Sequence, residues 1–91
     1  MKVKLFTILK QLAGTGELEV ALEDGDTVGK VLTRLAADYP ALRQHLFDRD
    51  GKVEGYINIF VNGRSIRFLD GLDTRLSEDD VLALFPPVAG G

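Results

Sequence analysis

One stretch of this chain limits its fold more than any other. From residue 28 to 39 the apolar residues Val28, Val31, Leu32, Leu35 and Tyr39 recur with a period near 3.6, which predicts one amphipathic helix. Asp26 or Thr27 is placed to cap its start, and Pro40, which has no N–H to donate, ends it. Residues 41–47, with Leu42, Leu46 and Phe47, predict a short second helical piece, followed by the polar turn Asp48-Arg49-Asp50-Gly51. Most other apolar sequence reads as strand. Residues 3–9 and 17–22 are expected to form an opening hairpin around Gly14-Thr15-Gly16. Residues 56–61 lead into Asn62-Gly63, a strong hairpin signal, with 65–68 as the returning strand. Residues 81–85 form an unbroken apolar strand. With 91 residues the chain is expected to be one α+β domain over 1–85, in which one main helix serves the whole sheet. One helix covers one sheet face, so the other face needs its own explanation.

Strand alternation says what that second face carries. Val3, Leu5 and Leu9 point one way on the first strand and Phe6 and Ile8 the other, while Phe60 opposes Ile57, Ile59 and Val61. On the last strand Leu82 and Leu84 are assigned inward, leaving Val81, Ala83 and Phe85 outward. The outer face is therefore expected to present Phe6, Ile8, Phe60 and Phe85 as a partner surface, unless the short second helix or a loop folds over it.

Several chemistries are disfavoured. The net charge of −3, with lysines and arginines scattered singly, argues against nucleic acid. The absence of cysteine removes disulfides, thiolate nucleophiles and cysteine-based metal sites. His45 is the only histidine, so neither a metal site nor a Ser/His arrangement is expected. Gly14-Thr15-Gly16 lacks the third glycine of a dinucleotide fingerprint. The 25–31 segment is one residue short of a phosphate loop, with Val31 where Ser or Thr is needed. The acidic residues at 48, 50, 70, 73 and 78–80 do not match a calcium loop and read as solvated turns. No apolar run is long enough to cross a membrane and no signal peptide is evident, so a cytoplasmic protein without bound cofactor is expected.

The sequence ends Phe85-Pro86-Pro87-Val88-Ala89-Gly90-Gly91. Two prolines fix their own φ and favour extension before them, and two glycines have no Cβ to obstruct approach. Residues 86–91 are expected to be a flexible extended tail that presents the Gly91 carboxylate to another enzyme.

The segment Leu82-Ala83-Leu84-Phe85-Pro86-Pro87-Val88-Ala89-Gly90-Gly91 resembles the C-terminal signature of the MoaD/ThiS sulfur carriers. Leu5-Phe6 with Leu12-Ala13-Gly14, Thr27-Val28, Tyr39-Pro40-Ala41-Leu42, Ile57-Asn58 to Asn62-Gly63, and Leu76-Ser77-Glu78-Asp79-Asp80 extend the resemblance across the chain. Its length and its 47–53 segment are similar to the longer MoaD relatives, which include the archaeal small ubiquitin-like modifiers. The resemblance implies a β-grasp, ubiquitin-like fold with a mixed sheet of four to five strands. It also implies that an E1-like enzyme uses ATP to adenylate Gly91, and that a sulfur donor enzyme converts the adenylate to a thiocarboxylate. On this reading the chain is the noncatalytic small subunit of molybdopterin synthase, beside a MoaE-like large subunit that receives the tail. Phe85, Pro86, Pro87, Val88, Ala89 and Gly90 are then partner contacts. Left open are a modifier joined through Gly91 to lysines of target proteins, a carrier for thiamine or tRNA thiolation, and a β-grasp binding module whose Gly-Gly end is incidental.

Overall fold

The structure is a computed structural model and describes residues 1–55 and 57–86. Its elements are β1 (Lys2–Leu5), α1 (Ile8–Ala13), β2 (Glu17–Glu19), α2 (Val28–Asp38), α3 (Pro40–Leu46), β3 (Asn58–Val61), β4 (Arg64–Ser65) and β5 (Val81–Phe85). Two single 3-10 turns, Ile66–Phe68 and Gly71–Asp73, join β4 to the last strand. The sheet order is β2-β1-β5-β3-β4, with β1 and β5 parallel and every other neighbouring pair antiparallel. This mixed five-strand sheet grasping a helix is the β-grasp architecture. Its central strand is the last one, so whatever follows Phe85 leaves from the middle of the sheet.

The alternation expected of the strands holds. Val3, Leu5, Leu18, Ile59, Val61, Leu82 and Leu84 are buried on one face, against Val28, Val31, Leu32 and Leu35 of α2 and Leu42 and Leu46 of α3. The α3 helix packs on both α1 and α2, so all three helices share the inner side. Thr27 caps α2, its Oγ1 accepting the Lys30 N–H at 3.3 Å. At the other end Tyr39 closes α2 onto the Leu35 carbonyl at 2.8 Å, and Pro40 opens α3 at a position where a missing N–H costs nothing. Asp26, the alternative cap, has another role. Its buried carboxylate accepts two hydrogen bonds from the Arg34 guanidinium, at 2.9 and 3.1 Å, and one from the Glu23 N–H at 2.8 Å.

Three expected elements differ, and the second strand is one of them, since β2 covers Glu17–Glu19 and does not run to residue 22. The first strand does not run to residue 9: it ends at Leu5, Thr7 adopts φ 50 and ψ −123, and Ile8 opens α1. Ile8 is therefore a helix residue, 38% exposed, and Leu9 reaches the core from α1. The short helix then closes on Gly14, whose φ of 79 lets its N–H bond the Lys10 carbonyl at 3.0 Å. Asn62-Gly63 forms the expected tight turn, with φ 52 and 83, but the returning strand pairs only over Arg64–Ser65. Ile66 turns into the core and Phe68 is left 82% exposed.

Candidate recognition face and tail root

Parity along each strand places Phe6, Phe60 and Phe85 on the sheet face away from the helices, and the three rings meet there. Phe6 and Phe85 lie nearly parallel, 9° between planes and 4.2 Å between centroids, and Phe60 meets Phe85 edge-on at 87° and 5.5 Å. Stacked and edge-to-face rings at these separations attract beyond the area they bury. The pairing register explains the meeting. Leu5 lies opposite Leu84, so the next residues, Phe6 and Phe85, fall side by side, while Phe60 lies opposite Ala83. All three phenylalanines, with Val81 and Ala83 beside them, are half-buried.

A charged margin borders this apolar strip. Lys2 and Lys4 of β1 share the outer face and are exposed, as are their cross-strand partners Glu19 and Glu17 on β2. Sequence reading did not find this ladder, because opposition across two strands depends on register and not on spacing along either one.

The start of β5 is pinned by side chains. The Asn62 amide donates to Asp80 Oδ1 at 2.8 Å, its carbonyl oxygen accepts the Val81 N–H at 2.9 Å, and its own N–H donates to the Val81 carbonyl at 2.9 Å. Asp80 Oδ2 accepts the Ser77 N–H at 2.8 Å and the Ser77 hydroxyl at 3.2 Å. These donors, the Ser77 N–H foremost, hold the Asp80 carboxyl below its ordinary value against the opposing effect of burial. The Asp26 carboxyl is likewise lowered, first by Arg34 and then by the Glu23 N–H, and Arg34 is raised in return.

Phe6, Phe60 and Phe85 thus come together, Ile8 moves to α1, and Pro86 is buried where β5 ends. Pro87, Val88, Ala89, Gly90 and Gly91 lie outside the described residues. Among the described residues no group of three or more His, Asp or Glu side chains is placed to hold a metal ion, and no helix is long and apolar enough to cross a membrane. A cleft of about 610 Å³ beside α2 and α3, lined in part by Ala36, Arg43, Phe47 and Arg49, contains none of the expected site residues.

Known proteins share this fold. The sequence profile of the ThiS family matches residues 3–91. Small archaeal modifier protein 1 of Haloferax volcanii is 37% identical over 91 residues, an alignment that covers all of both chains. Its crystal structure matches with a TM-score of 0.89 over 99% of this chain and 97% of that one. The sulfur carrier protein CysO of Mycobacterium tuberculosis is 37% identical over 91 residues, covering 98% of this chain and 96% of its own. A Pyrococcus furiosus structure provisionally described as molybdopterin converting factor, subunit 1, matches at 33% identity and a TM-score of 0.76, covering 96% and 95% of the two chains.

Proposed function

Because the chain belongs to the ThiS family of ubiquitin-like sulfur carriers, we propose that its Gly91 carboxylate is the group that works, activated by one enzyme and loaded with sulfur for another. The observation that carries this reading is the family match through residue 91, together with the position of β5, which ends at Phe85 in the aromatic cluster at the sheet centre. A carboxylate resists nucleophiles until it gains a good leaving group. A Gly91 oxygen attacks the α-phosphorus of ATP held by an E1-like enzyme, pyrophosphate leaves, and an acyl adenylate results. A hydrosulfide ion supplied by a donor enzyme then attacks the acyl carbon, AMP leaves with the electron pair of the acyl–oxygen bond, and loss of the S–H proton gives the Gly91 thiocarboxylate. The absence of Cβ at Gly90 and Gly91 leaves the acyl carbon open to both attacks. This chain contributes the substrate carbon and the recognition surface, and its partners contribute the catalysis.

The acceptor in this reading is the pterin precursor of molybdopterin, with the chain serving as small subunit beside a MoaE-like large subunit. The described name of the Pyrococcus furiosus relative supports it. A specific observation favours a second destination, a lysine amine of a target protein: the Haloferax volcanii relative, 37% identical, is called a modifier. Both routes share the adenylate and diverge at the nucleophile. Phe6, Phe60 and Phe85 supply the apolar contact by which partners hold the domain while residues 86–91 enter their active sites.

Intact-protein mass spectrometry after incubation with the host's E1-like enzyme, ATP and a sulfur donor tests the shared step. The expected result is an oxygen-to-sulfur mass change confined to the C-terminal peptide, and an unchanged peptide refutes carriage. Co-purification with a MoaE-like protein then supports the first acceptor, and Gly-Gly remnants on target lysines support the second.

A further inference from the structure

The sheet ends at β2, and the side of β2 facing away from β1 offers backbone groups that β1 does not use. Val20 and Met1 exchange two hydrogen bonds: the Val20 N–H donates to the Met1 carbonyl at 2.9 Å, and the Met1 amine donates to the Val20 carbonyl at 3.0 Å. Bonded and unbonded pairs alternate along an antiparallel ladder. The next pair, Lys2 opposite Glu19, is therefore an unbonded one, and the N–H and C=O of Glu19 point to the open edge. Ala21 lies two residues further on, beyond the end of β2. Its carbonyl accepts Arg34 Nη1 at 3.3 Å, and its N–H has no acceptor among the described residues. At the other end Glu17 is occupied by the Thr15 hydroxyl, at 3.1 and 3.3 Å, so the open stretch is short and centred on Glu19.

A groove of about 480 Å³ runs between this edge and α2. Val20, Leu35 and Tyr39 give it an apolar lining, and Arg34 and Asp38 stand on its helical side. Arg34 is already neutralised by its two-pronged bond to Asp26. Glu17 and Glu19 lie opposite Lys4 and Lys2, and Glu19 also stands 3.7 Å from the Met1 amine, so the exposed carboxylates of Glu23, Asp24 and Asp38 set the sign of the surroundings. That sign decides between occupants. A second copy pairing edge to edge would oppose Glu17 and Glu19 with the same residues, which is how charged edges prevent self-association.

We propose that the β2 edge and its groove accept an extended basic peptide segment of a partner as a sixth strand. The peptide backbone bonds Glu19 and the Ala21 N–H, alternate apolar side chains enter the groove, and flanking lysines or arginines meet the acidic rim. The Phe6, Phe60 and Phe85 cluster remains uncovered, since its rings lie on the sheet face away from the helices whereas the groove lies on the helix side. A partner held here leaves the tail free to react.

The test is a titration of the isotope-labelled full chain with the peptide acetyl-Lys-Val-Thr-Val-Thr-Val-Lys-amide, followed by NMR. The amides of Glu19 and Ala21 are expected to shift and gain protection from exchange while those of β5 stay in place. Replacing both peptide lysines by glutamate weakens binding by about tenfold or more. Methylating the amide nitrogens along one edge of the peptide abolishes binding, and methylating those along the other edge leaves it. Shifts centred on the aromatic face, equal binding of the two methylated peptides, or no response of Glu19 and Ala21 at millimolar peptide overturns the proposal. Activation at Gly91 is scored separately and does not bear on this result.

Discussion

Leu84 and Phe85 are consecutive on β5 and belong to different surfaces. Leu84 is fully buried against the helices, in a core closed on every side by aliphatic chains. Phe85 faces the other way, stacked on Phe6 and edge-on to Phe60, and is half-covered. Strand alternation lets a single segment serve both faces, so the residues that hold the fold and the residues offered to partners can be changed separately. The contrast teaches that an aromatic cluster can be ordered without being a core: its rings fix one another's orientation yet keep apolar surface in water.

The largest expected effect comes from breaking the inner face. Leu84→Ala leaves a cavity under α2 and α3 and should cost about 2–5 kcal/mol, seen as a lower denaturant midpoint at unchanged slope. A loss below about 1 kcal/mol would mean that the inner face is not the core described here. Phe85→Ala removes both ring contacts on the outer face and should cost about 1–2 kcal/mol, while slowing activation by the E1-like enzyme far more than that loss of stability explains. Thr7 marks the point where the chain crosses from one face to the other, between Phe6 outside and Leu9 inside. A β-branched residue at φ 50 is strained, so Thr7→Gly should stabilise the fold by roughly 0.5–1 kcal/mol in chemical denaturation.

The smallest effect is set by pH. Asp26 and Asp80 both have folded-state values below the ordinary 3.8. Their contribution is present above the unfolded value and is lost as pH falls below it through the lowered folded values, because the unfolded chain then binds protons the folded one refuses. Stability should be flat from pH 5 to 8 as far as these groups are concerned and decline below about pH 4. In Asp26→Asn and Asp80→Asn that acid decline should be shallower in urea titrations, and an unaltered profile would remove these carboxylates from the account.

How far the sequence revealed this division depends on the range of the interactions. The α2 helix was legible because Val28, Val31, Leu32 and Leu35 form a periodic stripe, and the Asn62-Gly63 turn because its two positive φ values suit those residue types. The inward and outward assignment on β5 was legible for the same local reason, and it brought Phe6, Phe60 and Phe85 forward together. Ile8 was misplaced because a helix of six residues gives too little period to outweigh the strand-like look of Phe6-Thr7-Ile8. The returning strand was overextended because Ile66 is held by the core and not by the ladder. Sheet order was not legible: nothing local in residues 2–5 or 81–85 says that the first and last strands pair in parallel. The Lys2/Lys4 to Glu19/Glu17 ladder was hidden for another reason: the β1–β2 hairpin was expected, but its register was not legible along either strand.

The separation of fold from recognition is tested most directly by the rate of Gly91 thiocarboxylate formation in Phe85→Ala, by mass spectrometry with E1-like enzyme, ATP and sulfur donor, under conditions where circular dichroism shows the variant folded. The account predicts a folded chain that is loaded at least about tenfold more slowly than the unmodified protein. Loading at the unmodified rate would contradict it.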